Sequence, residues 1–406
     1  MSAVDVAVLA PPLESASVPA PSAPPLTVET VGDYEGLLAL EPAWNGLVDA
    51  AGIGHPFLSH EWIRTWWECF GAGKQLHVLV VKAGSEPIAI APFMRCQGRI
   101  GGLNVRRLQL IANVQTPRSD VIVGQRAPEA YQALWDCLAA QRALWDALVL
   151  PQIPADAATL DTLRELARRD GFLTGTWRRP SDQSPWVRLT GNWDDYFAGL
   201  ARKHRSNLRN RLKRLEQTGP LEVRSVSAGA EIGPALDQGF TLEAAAWKGR
   251  RGTAIRCSSE VRLFYTRLAA WAAQRGWLRL QFLTVGDRPI AFAYMFCFKK
   301  TLFLLKPGYD PAFSALSPSN VLLSKVLREA FAEGLAAFDF LGEDDCWKLD
   351  WTSEVKPHSW LFVFPDTPRS RLLHFVKFRL LPWLKRARAA FLARAAALGA
   401  AEPRSS

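Results

Sequence analysis

The sequence predicts a mixed α/β (α+β) fold of two similarly ordered units, each a mixed, mostly antiparallel sheet flanked by helices. Three features carry this expectation. Apolar runs alternate around short turn-forming dipeptides, stretches of helical period lie between them, and the same order of elements returns after about residue 186.

Taken in order, the first 26 residues, "MSAVDVAVLAPPLESASVPAPSAPPL", are rich in Pro, Ala and Ser. Asp5 stands where a signal peptide carries basic residues, and Pro11 and Pro12 cut the short apolar run, so a disordered leader is expected. "LTVETVGDYEGLLALEPAWNGLVDAAG" reads as a strand and an amphipathic helix, and "HPFLSHEWIRTWWECFG" as a helix capped at Ser59. "LHVLVVKAGSEPIAIAPFMRC" is a hairpin around a Gly-Ser-Glu-Pro turn. "RRLQLIAN", "SDVIVG" and "WDALVLPQIP" add strands, with a helix in "PEAYQALWDCLAAQR". In the second unit "WVRLTGNWDDYFAGLARKHRSNLRNRLKRLEQTG" reads as a strand and one long helix, followed by helices in "IGPALDQGFTLEAAAWKG" and "EVRLFYTRLAAWAAQRG". A meander turns at Gly286-Asp287 and Lys299-Lys300, a helix starts near Ser317 and Ser319, and "LAAFDFLG" is the last strand. The domains expected are 27–185 and 186–365, with a tail from 366 to 406.

With 406 residues, 49% apolar and 11% aromatic, the chain can bury a large core. Its six cysteines show no CxxC and no close Cys/His spacing, so neither a disulfide framework nor a zinc site is expected, and a reducing cytoplasm fits. No window approaches the roughly 18 to 20 apolar residues of a membrane span. The formal charge of +10 is concentrated: Arg202–Arg214 holds seven Lys/Arg and Arg369–Arg394 holds eight, leaving the rest of the chain at −5.

Familiar catalytic signatures are missing: there is no GxSxG, GxxxxGK[ST], HExxH or GxGxxG, and the six histidines are isolated. Other stretches draw notice. "FDFLGEDDCWKLDWTSE" takes an apolar strand into Gly342, three acids and one lysine between two tryptophans, a pattern suited to the rim of a site. Together with "HPFLSHEWIRTWW", "KHRSNLRNRLKRLE", "AAAWKGRRGTAI" and "KPGYDPAFSALSPSNVLL", in this order and spacing, it resembles the bacterial BioF2-like, CelD-like acyltransferases, relatives of the FemAB peptidyltransferases in the GNAT superfamily. The resemblance spans roughly residues 27–365. It implies two tandem GNAT-like domains with the acyl-transfer site mainly in the second.

Acyl transfer needs a positioned amine or hydroxyl, a proton acceptor and donors for the developing oxyanion. Lys348, beside Trp347 and Trp351, is read as the group that stabilises a carbonyl oxyanion or a donor phosphate, a role the resemblance implies; the alternative is a structural ion pair with Asp344, Asp345 or Asp350. Glu343 and Asp344 are the nearest base candidates, with Tyr309 and Asp310 behind them. Ser317, Ser319 and Asn320 sit at a helix N-terminus, where the resemblance implies the pyrophosphate of coenzyme A, although the usual QxxGxG/A loop is absent; plain capping is the alternative. Trp247, Lys248 and Arg250, punctuated by Gly249 and Gly252, form either an anion clamp or an ordinary glycine-ended helix. Lys203, Arg205 and Asn207 match the Lys-x-Arg-x-Asn stretch implied to meet a nucleotide-linked acceptor, unless their helix merely shows a solvated face.

The expected activity is acyl transfer, with acyl-CoA as the expected donor, to an amine or hydroxyl of a sugar or envelope-polysaccharide precursor, with no bound cofactor or metal. The alternatives are an aminoacyl-tRNA-dependent FemAB-like peptidyltransferase and a non-catalytic scaffold of exopolysaccharide assembly. The tail, broken by Pro382 into two short basic helices, either lies on an anionic inner-membrane surface or packs on protein.

Overall fold

The structure, a computed structural model, describes residues 24–179 and 181–399, without the side chains of 247, 248, 391 and 393–399. The leader expected over 1–26 therefore lies outside the described residues up to position 23. In chain order the first half holds β1 (Leu26–Val31), α1 (Tyr34–Ala39), α2 (Glu41–Ala50), α3 (His60–Phe70), β2 (Gln75–Ala83), β3 (Glu86–Ile100), β4 (Leu103–Leu110), β5 (Ile122–Val123), α4 (Ala127–Ala140), β6 (Ala147–Pro154), α5 (Ala158–Arg169) and β7 (Leu173–Trp177). The second holds β8 (Gln183–Arg188), α6 (Trp193–Gly199), α7 (Arg202–Glu216), β9 (Leu221–Val226), α8 (Ile232–Ala245), α9 (Trp247–Arg250), α10 (Ser259–Gln274), β10 (Leu278–Val285), β11 (Arg288–Phe298), β12 (Thr301–Tyr309), α11 (Pro318–Ala332), β13 (Ala337–Asp339) and α12 (Cys346–Leu349). β14 (Val355–Phe364), α13 (Pro368–Phe375) and α14 (Leu381–Gly399) close the chain.

Local chemistry accounts for several of these boundaries. The Ser59 hydroxyl accepts the Trp62 N–H at 3.3 Å and starts α3. Lys299 and Lys300 both take positive φ, 45° and 60°, the geometry of a two-residue hairpin between β11 and β12. The single helix expected before Gly219 is two: Leu200 and Ala201 are extended, with ψ of 156° and 133°. The break lets α6 pack Trp193 and Tyr196 on Phe331 while α7 turns His204, Leu208 and Leu215 inward. At the tail, Pro382 has no N–H for the preceding turn, and residues Val376–Leu380 widen into a π turn that joins α13 to α14.

Among the described residues the strands form one 14-stranded sheet in the order β1-β2-β3-β4-β6-β14-β8-β13-β12-β11-β10-β9, with β5 on β3 and β7 on β14. Pairing is antiparallel except at β4/β6 and β12/β13. The two halves share this sheet because β14 returns to the first: only Val355–Pro357 pair β8, and the rest lies between β6 and β7. One face carries α1–α3, α8 and α10, with α13 beyond them; the other carries α4 and α5 in the first half and α6, α7 and α11 in the second.

Between the halves α3 lies on α10. Trp62 meets Phe264 edge-on at 5.4 Å, the Trp271 indole donates to Thr65 Oγ1 at 3.2 Å, and Arg267 pairs with Glu68 at 2.6 Å. At the centre, Arg118, from the loop after β4, donates to Asp339 at the end of β13 at 2.8 Å, both side chains being buried. Removing one partner of a buried pair strands the other's charge. Arg118→Met should therefore cost about 3–5 kcal/mol in chemical denaturation, and adding Asp339→Asn should recover more than half of that loss. Equal stability of the single variant and the parent would show that the pair does not tie the halves.

Candidate active site

A cleft of about 1210 Å³ opens on the α3/α10 face where the half-sheets meet. Its floor is formed by β3, β4, β6, β12 and β14, with α3 and α10 on one side and the π turn before α14 on the other. The cleft reaches the point where β12 and β13 part. These parallel strands pair through Thr301↔Ala337, Leu302↔Phe338 and Phe303↔Asp339, after which β12 runs on to Tyr309 while the chain turns away from β13. Leu305 and Lys306 on β12 and Leu341, Gly342 and Glu343 after β13 line the cleft at this splay.

The turn after β13 is built against its own backbone preference. Leu341 has φ of 54°, unusual for a branched residue, and Gly342 follows at 64°. Asp339 Oδ1 accepts the Leu341 N–H at 2.9 Å, and the Lys348 ammonium donates to the carbonyls of Leu341 (3.0 Å) and Glu343 (2.7 Å). Lys348 also pairs with Asp345 at 3.0 Å and is buried. This lysine is a clasp that holds the turn, and it does not line the cleft. The structural ion pair weighed for Lys348 is thus present, with Asp345 as its partner.

Of the candidate bases, Glu343 lies in the cleft, half-exposed, with Arg179 at 2.6 Å. Arg179 also grips buried Asp182 through Nε at 2.9 Å and Nη2 at 2.8 Å. Asp344 accepts instead from Gln183, Tyr309 packs on the α7/α11 face, and Asp310 pairs with Arg288 and caps Ala312 at 3.0 Å. Trp347 and fully buried Trp351 belong to the same opposite face.

The α11 terminus lies there too. Ser317 takes φ of 43°, Pro318 opens the helix, and no side chain caps it. Asn320 Oδ1 accepts the Trp351 indole N–H at 3.2 Å, while the Ser319 hydroxyl is buried without a partner. Trp351 meets His204 of α7 edge-on at 4.7 Å, and burial holds that histidine below its ordinary range. Lys203 is exposed, and Arg205 and Asn207 are half-buried on this helix. In α9, the side chains of Trp247 and Lys248 lie outside the described residues, and Arg250 is exposed. A Cβ at Gly249 would sit 2.0 Å from the Ala244 carbonyl oxygen, so the close turn after α8 admits only glycine.

The cleft also gathers residues that sequence reasoning passed over. Gln115, from the first half, accepts both the Tyr265 hydroxyl (3.1 Å) and Lys306 Nζ (3.0 Å). His358 of β14 is buried at the cleft wall, and burial together with Arg118 brings its pKa down to about 4. An apolar strand context hid His358, whereas Lys306 lay in a quoted stretch, "KPGYD", without being singled out. Among the described residues, no group of three or more His, Cys, Asp or Glu is placed to hold a metal.

Because the native pKa of His358 lies below the ordinary 6.5, the unfolded chain takes up a proton first as pH falls. Its stabilising contribution is whole above about 6.5 and is lost on acidification toward 4. The stability of the parent relative to His358→Asn should fall over that window by roughly 2–3 kcal/mol in denaturant titrations, and a pH-independent difference would contradict it.

Residues 202–349 match the family described as Acetyltransferase (GNAT) domain. No curated protein matches the chain. Among solved structures, FemX superposes with a TM-score of 0.56 at 13% identity, covering 85% of this chain and 100% of that one, a likeness of fold. A conserved protein of unknown function from Bacteroides thetaiotaomicron (TM-score 0.49, 12% identity, 84% and 100% covered) and a tandem GNAT protein from the clavulanic acid biosynthesis pathway (0.46, 11%, 84% and 98%) superpose less closely. The second half of the chain carries a GNAT-type acyltransferase domain.

Proposed function

We propose that the chain moves an acyl group from acyl-CoA to an amine or hydroxyl of a sugar or envelope-polysaccharide precursor lying in the cleft, in the manner of the BioF2-like, CelD-like group. The observation that carries this reading is the cleft's floor, which ends at the β12/β13 splay with Lys306 on β12 and, after β13, Glu343, a carboxylate held by Arg179. Two units dividing near residue 185, with β14 lent back to the first, support a reading in which the acceptor lies over one and the donor over the other.

In the reaction the acceptor N–H or O–H attacks the thioester carbonyl, the C–S bond breaks, and the acceptor's proton passes to Glu343 and then to the departing thiolate. Lys306 faces the carbonyl oxygen as negative charge develops there. Lys348 acts at one remove by holding the turn that carries Glu343. The buried, unpartnered Ser319 hydroxyl at the uncapped start of α11 supports placing the donor's phosphates there.

A second reading, transfer from aminoacyl-tRNA, rests on α7, whose exposed Arg202, Lys203 and Arg209 lie on the face away from the cleft. Thiol release from acyl-CoA with amino-sugar acceptors separates the two. Glu343→Gln and Lys306→Met should each lower kcat by about 10² or more with melting temperatures unchanged. Productive binding with a log–log salt slope steeper than about −3 would instead favour the RNA donor.

The tail supports contact with an anionic membrane surface, because Leu372, Phe375 and Trp383 are exposed beside Arg371, Arg379 and Lys385. Among the described residues no helix is long and apolar enough to cross a membrane. Trp383→Ala combined with Leu384→Ala should abolish sedimentation with phosphatidylglycerol vesicles; undiminished sedimentation would exclude this surface.

A further inference from the structure

Among the cations that line the cleft, Arg107 and Lys377 pair with no carboxylate of the described residues. Arg107 of β4 lies on the backbone of Gly98 in β3, where a Cβ would come within 2.3 Å of Nε, so the absence of a side chain there is what admits the guanidinium. One of its N–H groups reaches the Arg99 carbonyl at 2.6 Å, while Nε is buried with no partner. Lys377, delivered by the π turn, has its ammonium 4.6 Å from the Trp177 ring and 4.7 Å from the Phe362 ring, and no carboxylate among the described residues pairs with it. The turn is seated by glycines: Val376 would meet a Cβ at Gly101 at 2.4 Å, and the Phe378 ring one at Gly175 at 2.3 Å. A third donor of the same cleft, the indole N–H of Trp360, whose ring lies 5.7 Å from that of Trp177, is buried with no acceptor among the described residues.

The carboxylates of the cleft do not serve this group. Asp182 and Glu343 are held by Arg179, and Glu260 accepts from Ser258 and Ser259. Burial depresses both Arg107 and Lys377, which line the same cleft, and repulsion from Arg107 and Lys385 lowers Lys377 further. Desolvated like charges and an unused buried donor are costly unless an anion completes the set. Trp177 bridges this group to the reaction end, since Lys377 and Arg179 lie 4.6 Å and 5.9 Å from the same ring and Arg179 holds Glu343.

We propose that Arg107, Lys377 and Trp360 form a phosphate-binding pocket that recognises a phosphorylated acceptor, with its sugar-like body along Trp177 toward Glu343. Only the word acceptor rests on the acyl-transfer reading; the pocket is defined by its own side chains. Phosphate suits the set because two fixed cations and an N–H donor match a multiply charged group of oxygens, and the aromatic wall matches the apolar face of a sugar ring. The tail thereby becomes part of the binding cleft through Lys377.

Calorimetric titration of the full chain with inorganic pyrophosphate at low salt tests the pocket without any turnover. Pyrophosphate should bind, and Arg107→Gln and Lys377→Gln should each weaken it about 10- to 100-fold, whereas Arg386→Gln, removing an exposed cation of the tail, should change it less than about twofold. If Arg107→Gln does not fold, Lys377→Gln and the charge-preserving Arg107→Lys carry the comparison. Binding that is insensitive to Arg107 and Lys377, or equally sensitive to Arg386, overturns the pocket. A parallel titration with dihexanoyl phosphatidic acid assigns the source: preference for it places the phosphate on a lipid-linked acceptor, preference for pyrophosphate on a soluble one, and binding of neither overturns the proposal. Pyrophosphate binding in a protein that consumes no acyl-CoA would leave the pocket standing and remove the acyl-transfer reading; acyl-CoA consumption without pyrophosphate binding would do the reverse.

Discussion

The buried pair between Arg118 and Asp339 is the constraint around which the centre of the molecule is arranged. Asp339 is the last residue of β13, at the point where β12 and β13 separate, and its other oxygen fixes Leu341 in a left-handed conformation. Arg118 arrives from the opposite half on a loop that also delivers Gln115 to Lys306 and Tyr265. One carboxylate thus anchors the splay, the turn and the joint between halves. A buried ion pair contributes little net stability compared with apolar packing, but its directional hydrogen bonds select one relative placement of the parts that carry it.

That placement is reinforced by the strand that ends the shared sheet. β14 is made after the second half is complete, yet most of its pairing is with β6 and β7 of the first. Its alternate side chains therefore face the cleft, where His358, Trp360 and Phe362 form much of the wall. The cleft is a property of the joined halves. Neither half supplies its floor, its carboxylates and its cations alone, since Glu343 comes from the second half and Arg179 from the connection, while Arg107 comes from the first.

Electrostatics divides the molecule into two working faces. The exposed cations of α7 and the uncapped start of α11 lie on one side of the second half-sheet, and the cleft lies on the other, so the basic segments apparent in the sequence do not converge on a single spot. Lys377 is the exception: it belongs to the basic tail but is turned inward by the π turn at Val376–Leu380, between two aromatic rings. Inward placement takes a cation out of water, where its charge acts at closer range and with less screening.

Local chemistry was legible in the sequence wherever a few neighbouring residues decide the outcome. The Ser59 cap, the Lys299-Lys300 hairpin and the apolar strands of the meander all follow from capping, dihedral preference and short apolar runs. Lys348 and Glu343 could be singled out for the same reason, although which of them faces the cleft could not. The helix expected over the Asp194–Gly219 region breaks at Leu200 because two sets of core contacts, to Phe331 and to Trp351, pull its ends in different directions. The strand Val355–Phe364, the joint through Arg118 and the gathering of Arg107, Lys377, His358 and Lys306 were decided only by the tertiary structure. Each depends on pairings between residues tens to hundreds of positions apart, and the free energy of such contacts lies in burial and hydrogen bonds that no local pattern encodes.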